Sequence, residues 1–326
     1  MCIRDSLQNA VLSHLADKMY PFLRKKQKCA PMHRKQELND NIRSMFLYKL
    51  ATILINNTDN ILISVMLGTV FVGYYSNYAS LTTYVTTFVS IVITGISASL
   101  GNLNAEKDSE KSYAMFRNLI VLFGAITGFC VAAYGAVVQD FIPIWVGEEY
   151  LMDTGTVAAV LFTFYLSTIV APVWMYRETL GLFRQMKYVM FMTALVNILL
   201  SILLGHFFGV AGIIGGTIIS SLLTCVWFEP YVLMRYGIEE DWQKKLRRYF
   251  MDYIVRWVVV AGVSAVSYWI FQLMPQTNFL WFIAQGLIYT AIFAAVVLTV
   301  YGRTPEFQYL LEMTVRKLRK KLHSGA

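Results

Sequence analysis

Charge is scarce in this sequence. Asp, Glu, Lys and Arg together make up 15% of its 326 residues, against about 25% in an ordinary soluble domain, so too little polar side chain is present to cover a globule of this size. Histidine and cysteine are scarcer still. Cys2, Cys29, Cys130 and Cys225 lie far apart, as do His14, His33, His206 and His323, with no CxxC, Cys/His or HExxH spacing among them. A disulfide framework and a zinc site are therefore not encoded. The opening lacks the apolar stretch that follows the basic start of a secretory leader. Residues 1–6, MCIRDS, read as translated adapter sequence and are set aside from the fold reasoning.

What the chain has in abundance is apolar length. Residues of the AVILMFWYC set make up 57% of it and the mean hydropathy is +0.52, which points to a bilayer as the solvent. About 20 apolar residues cross the hydrocarbon core as a helix. Eight segments qualify, at 45–67, 71–99, 115–138, 155–176, 188–207, 211–234, 252–273 and 279–301. The sequence thus predicts an all-α polytopic membrane protein of about eight transmembrane helices. The first is the least apolar, because its centre reads Asn56-Asn57-Thr58-Asp59-Asn60.

The loops sort by charge. One alternate set carries the bases, from Arg24–Lys28, Lys107 and Lys111 through Arg177, Arg184, Lys187 and Lys244–Arg248 to Arg316–Lys321. The other set, near 68–70, 139–154, 207–210 and 274–278, holds no Lys or Arg, and its longest loop carries Asp140, Glu148, Glu149 and Asp153. The positive-inside rule then places both termini in the cytoplasm. The excess of 8 positive charges, which in a soluble protein would suggest nucleic acid, reads here as this sidedness, and no nucleic-acid partner is implied. Residues 304–322 set Phe307, Leu310, Leu311 and Leu318 among bases, which suits a helix on an anionic inner leaflet or a solvated helical tail.

Several pieces together carry a family resemblance. They are Asn57-Thr58-Asp59-Asn60-Ile61-Leu62-Ile63-Ser64 with Val72-Gly73-Tyr74-Tyr75-Ser76-Asn77-Tyr78, then Ser97-Ala98-Ser99-Leu100-Gly101-Asn102-Leu103, Phe141-Ile142-Pro143-Ile144-Trp145-Val146-Gly147, and Asn197-Ile198-Leu199-Leu200-Ser201 leading into Gly209-Val210-Ala211-Gly212. In order and spacing they resemble the polysaccharide branch of the MOP flippase superfamily, the Wzx-type carriers of lipid-linked sugars. The resemblance implies two six-helix lobes that rock around a central cavity. Residues 45–234 would form the second lobe, 252–301 the extra helix pair of a 14-helix member, 1–44 a cytoplasmic segment and inter-lobe loop, 235–251 a cytoplasmic loop and 302–326 a basic tail. Residues 7–26 would be the end of a sixth helix and the start of that loop, so an N-terminal lobe would be the missing partner of this half. The further partners implied are a lipid-linked oligosaccharide, the lipid bilayer and polysaccharide-assembly proteins.

Individual polar residues in the spans suggest where such a cavity would act. An acid near mid-span costs about 2.5–3.5 kcal/mol on insertion scales and turns toward a cavity or partner. Asp59 with Asn56 and Asn60 can share one inward helix face, either meeting substrate, acting as a proton- or sodium-sensitive switch, or orienting the helix by interhelical hydrogen bonds. Tyr75 and Asn77 are further cavity candidates from the family motif. Asn197 either lines the cavity or bonds across a helix interface. Arg117 and Arg256, near cytoplasmic helix ends, either meet a lipid diphosphate or snorkel to the interface. Arg177 and Glu178 form a gate pair or an interfacial one, and Glu229 is expected near the hydrated inner end of its span. The Gly209–Gly216 cluster lacks the strand and acid of a dinucleotide loop, so Gly212 and Gly216 read as close helix packing or a tight outer turn. No cofactor motif is present, and no coupling ion, H+ or Na+, is assigned.

The expected function is transport of undecaprenyl-diphosphate-linked oligosaccharide across the bacterial cytoplasmic membrane for surface polysaccharide. The alternatives are a multidrug or cation-coupled exporter of the same superfamily and, from another class, a membrane glycosyltransferase or polymerase. The last would need catalytic acids, His or Arg in sizeable loops, and the short outer loops offer few; an enzyme is not the expectation.

Overall fold

The structure, a computed structural model, describes residues 2–20, 32–106, 108–272, 279–309, 311 and 312. The chain divides into two units, Met1–Ile42 and Arg43–Ala326. The first contains α1 (Cys2–Met19), which exposes Val11, Leu12, Leu15 and Met19, and the opening of α2 (Met32–Met66). Residues 21–31 of the expected inter-lobe loop, the outer loop at 274–278 and the tail from 313 onward lie outside the described residues, whereas 32–44 of that expected loop are helical and open α2.

The second unit holds the rest of α2 and then α3 (Thr69–Ala105), α4 (Ser109–Trp145), α5 (Thr154–Ile169), α6 (Ala171–Leu180), α7 (Phe183–Leu223), α8 (Cys225–Leu233), α9 (Trp242–Gln272) and α10 (Phe279–Tyr301). No strand occurs among the described residues. Among the described residues, five stretches are long and apolar enough to cross a membrane: Thr69–Ala105, Ser109–Trp145, Thr154–Leu180, Phe183–Ile238 and Trp242–Val266. Gly286–Tyr301 is a shorter apolar helix. The protein is an all-α polytopic membrane protein. Every one of the eight candidate segments falls on helix apart from its breaks and the outer loop, but α2 is not among the apolar five. Its basic start and the Asn56–Asn60 run dilute it.

Local chemistry sets the boundaries. Asp108 caps α4, accepting from the Lys111 backbone N–H at 3.0 Å and pairing with its ammonium at 2.9 Å. These contacts hold the carboxyl below the usual carboxylate range. Asp153 caps α5 through the Thr156 N–H and hydroxyl at 2.8 and 2.7 Å, and although partial burial pushes its carboxyl up, those bonds outweigh it and lower it. Because both are depressed, each contributes stability that is present above the ordinary carboxylate range and is lost as pH falls through the lowered value.

Two expected spans are broken. The segment 155–176 divides at Val170, because Pro172 has no N–H to give and its ring crowds the preceding turn. The segment 211–234 is interrupted at Thr224, and its last residue opens a π turn, Met234–Ile238. α7 itself folds back at Gly209, whose φ of 59° and ψ of −136° leave the helical region. The two arms pack closely. A Cβ on Gly216 would lie 2.5 Å from the Ser201 backbone nitrogen, and one on Gly212 2.0 Å from the Leu204 carbonyl oxygen. Glycine at these two positions is what lets the arms approach.

The core follows from this packing. Phe116, Tyr176, Met186, Val232 and Tyr249 join α4, α6, α7, α8 and α9, while Ile63, Tyr78, Ile142 and Ile213 join α2, α3, α4 and α7. Ala132, Val263, Tyr289 and Phe293 attach α10 to α4 and α9. α3 is the least covered of the long helices. Gly73, Ser76, Ser80, Thr83, Thr87, Ser90, Thr94, Ser97 and Gly101 recur along it at alternating spacings of three and four, none of them buried. From Thr83 to Ser97 the hydroxyls on this row each donate to the carbonyl four residues back at 2.8 Å.

Gly216→Ala is expected to destabilise the detergent-purified protein by about 1–3 kcal/mol through overpacking, whereas Gly215→Ala, whose Cβ would meet nothing within 4 Å, is expected to be neutral or stabilising. Thermal unfolding of the two variants beside the parent checks this; equal losses would contradict the close contact at Gly216.

Candidate functional site

A cavity of about 340 Å³ opens between α2, α5, α6, α7 and α8. α2 supplies Tyr48, Lys49, Thr52 and Asn56, α5 supplies Thr163 and Ser167, α6 supplies Trp174, Arg177 and Glu178, and α7 and α8 supply Thr193, Thr217, Ser221, Cys225 and Glu229. Each of these helices thus turns some of its polar side chains to this space, away from the lipid.

One wall is an ion pair. The Arg177 Nη1 donates to Glu229 Oε1 and Oε2 at 3.1 and 3.2 Å and also to the Tyr48 hydroxyl. The Tyr48 hydroxyl donates to Glu229 at 3.3 Å, and the guanidinium lies 4.4 Å from the centre of the Tyr48 ring, a cation–π distance. Arg177 and Glu229 are each 5% exposed. The hydrated position expected for Glu229 is therefore corrected: α8 turns it inward, and Arg177 supplies the charge that water would have screened. The contact read from sequence, Arg177 with Glu178, is present at 3.7 Å, longer than the Glu229 contact. Glu178 also meets Lys49 at 3.6 Å on the exposed rim.

A second polar chain lies deeper. The Asn197 amide donates to Thr217 Oγ1 at 2.7 Å, and that hydroxyl donates to Asp59 Oδ1 at 2.7 Å. Asn197 is fully buried and its Oδ1 has no partner. Ser201 donates to the Ile213 carbonyl at 2.9 Å. This pair and Asn197–Thr217 share one midpoint, residue 207, as two arms of an antiparallel hairpin require. Asp59 is thus buried against α7, while Asn56 looks into the cavity. Asn60 is exposed, which corrects the expectation of one inward face for all three: a step of about 100° per residue carries Asn60 away from Asp59.

The other sequence candidates are dispersed. Tyr75 is half-buried on α3 within electrostatic reach of Asp59 and packs with the Ile63 core. Asn77 is half-buried on the same helix. Arg117 neither meets the cavity nor stands free at an interface, since it pairs with Glu306 at 2.8 Å and Asp252 at 3.8 Å. Arg256 is 2% exposed between α4 and α9, so it does not snorkel. Tyr48, Thr217 and Glu229 carry the two clusters yet were not singled out as cavity residues from sequence. Thr217 faces Asn197 in a register centred on residue 207, which the position of Gly209 alone does not give. Among the described residues no group of three or more His, Cys, Asp or Glu could hold a metal.

The fold and cavity define an all-α polytopic membrane protein with a largely apolar chamber, dotted with polar side chains, inside its helical body. Comparison with family models, curated proteins and solved structures gives no match.

Breaking a buried ion pair by removing one partner costs about 3–5 kcal/mol, since the other charge is left unpaired. Arg177→Met and Glu229→Gln are each expected to show a loss of this order in denaturant unfolding in detergent. The double variant is expected to lose less than the two singles combined; additive losses would show that the two groups do not act together.

Proposed function

We propose that this protein is a carrier of lipid-linked sugar in the bacterial cytoplasmic membrane, moving undecaprenyl-diphosphate-linked oligosaccharide across it for surface polysaccharide. The observation that carries this reading is the neutral hydrogen-bonding wall of the cavity. Thr52, Asn56, Thr163, Ser167, Thr193 and Ser221 line it. The hydroxyls of Thr52, Ser167, Thr193 and Ser221 donate to helix carbonyls and leave uncharged oxygen acceptors, while the Asn56 amide and the Thr163 hydroxyl supply donors. Together they form the surface chemistry that suits a hydroxyl-rich sugar. The Lys49 ammonium at the rim is half-exposed and supplies a cation for diphosphate where the lipid would enter.

In this reading both termini are cytoplasmic, as the loop charges favour. A second six-helix lobe covers the open row of small and hydroxyl residues on α3, giving the chamber its opposing wall. Rocking of the two lobes then exposes the sugar site to each side in turn. The motif resemblance at Asn57–Ser64, Val72–Tyr78 and Asn197–Ser201 supports the same class.

Purified chain in phospholipid nanodiscs is expected to bind undecaprenyl-diphosphate-linked oligosaccharide, with Asn56→Ala weakening the affinity roughly fivefold, the worth of one neutral hydrogen bond. Binding is measured by native mass spectrometry with a lipophilic drug cation as competitor. Binding of the cation without the sugar lipid would contradict the proposal and favour a drug exporter.

A further inference from the structure

Away from the chamber, the interface of α4, α5 and α9 collects polar groups that none of the described residues satisfies. The hydroxyls of Tyr165, Tyr249 and Tyr253 and the Arg256 Nη2 are all sealed from solvent and without a hydrogen-bond partner. They lie together. Ring centres of Tyr165 and Tyr253 are 6.4 Å apart and those of Tyr249 and Tyr253 6.2 Å. The Arg256 guanidinium carbon stands 6.0 Å from the Tyr249 ring centre and 5.9 Å from that of Tyr253. Isolated orphans of this kind are rare in folded proteins, and four in one place call for a common acceptor.

Arg256 itself is under-compensated. Its Nε donates to the Asp252 carbonyl at 2.9 Å and its Nη1 to the Ile120 carbonyl at 3.4 Å, both neutral acceptors. Among the described residues no carboxylate comes within ion-pair distance of it. The acids nearby, Asp252 and Glu306, are drawn to Arg117 at 3.8 and 2.8 Å. Asp252 is also within Coulombic reach of Arg256 and Arg248, so three cations share two acids. A buried guanidinium with no ion-pair contact, whose nearest acid is shared with two other cations, is costly in low dielectric.

We propose that Arg256 and the hydroxyls of Tyr165, Tyr249 and Tyr253 hold a small inorganic anion of the chloride class, enclosed between α4, α5 and α9. The orphans are O–H and N–H groups clustered around one cation, so the missing partner is an acceptor that carries negative charge and needs to place no proton of its own. Enclosure sets the size. A phospholipid headgroup would drag its chains through the seal, while a halide would not. The bound anion neutralises Arg256 and fastens α9, and with it the α9–α10 pair, to α4 and α5. This site is independent of the transport reading, because none of its residues lines the 340 Å³ chamber; Tyr165 borders a separate apolar crevice.

The test is thermal unfolding of the full chain in detergent at constant ionic strength in sodium gluconate, chloride, bromide or phosphate. Chloride and bromide are expected to raise Tm by roughly 2–6 °C over gluconate. Tyr165→Phe with Tyr253→Phe keeps both rings and removes two donors. It is expected to lose most of the halide shift while its Tm in gluconate is unchanged or higher, since an orphaned hydroxyl contributes nothing there. Bromide is expected to give anomalous density beside Arg256 Nη2 in crystals of the unaltered protein, a readout that does not depend on how the variant folds. Equal Tm in all salts, a halide shift that survives both substitutions, stabilisation by phosphate alone, or only water at Nη2 would each overturn the proposal.

Discussion

A guanidinium and a carboxylate sealed among apolar helices have to find each other, and the contact between Arg177 and Glu229 is the constraint around which this fold is arranged. It joins α6 to α8, and the Tyr48 hydroxyl, bonded to both, adds α2. Such a pair returns little net stability, because desolvation takes back most of the Coulomb attraction. What it gives is selection. Any register of the three helices that separates the two charges leaves one of them bare in low dielectric, so alternative packings are penalised far more than the native one is rewarded. The same logic runs through Asp59, Thr217 and Asn197, where one hydroxyl serves as acceptor for the amide and donor for the acid.

The helix interruptions serve these contacts. The break at Val170 separates α5, which lines the chamber with Thr163 and Ser167, from α6, which brings Arg177 to it. The turn at Gly209 folds α7 on itself so that Asn197 on one arm meets Thr217 on the other. Without Gly212 and Gly216 the arms could not come close enough for a hydroxyl to span them. Backbone irregularity inside a membrane protein is tolerable where neighbouring helices satisfy the freed groups, and here it is what turns polar side chains from several helices toward one space.

The sequence disclosed the helices more readily than their partners. Apolar runs and loop charges marked out the segments, and Pro172, which ends α5, was in plain view. The row on α3 from Gly73 to Gly101 was equally visible, but a hydropathy window averages over the phase in which that row exists. The ion pair was hidden for a different reason. Arg177 has a carboxylate beside it at Glu178, and adjacency in sequence drew attention from Glu229, 52 residues away. Residues one apart on a helix point in directions about 100° apart, so the neighbour in sequence was the poorer partner in space. Arg256 misled similarly: its distance from a helix end suggested a side chain reaching for the interface, whereas its carbon stem packs against Gly124, where a Cβ would come within 2.8 Å of it.

The chamber lined by Thr52, Asn56 and Ser221 gives these constraints a purpose, because it places neutral hydrogen-bonding groups inside an apolar body. Its claim to function requires water within the chamber and lipid at the outer helix surface. Cysteine labelling in sealed membrane vesicles separates the two, using a background in which the four native cysteines are replaced. The account predicts that Ser221→Cys, in the chamber, reacts with a membrane-impermeant thiol reagent applied from one side. Leu199→Cys, on the outward face of α7 at 68% exposure, stays unreactive from both sides. Labelling of Leu199→Cys, or silence at Ser221→Cys from both sides, would contradict it.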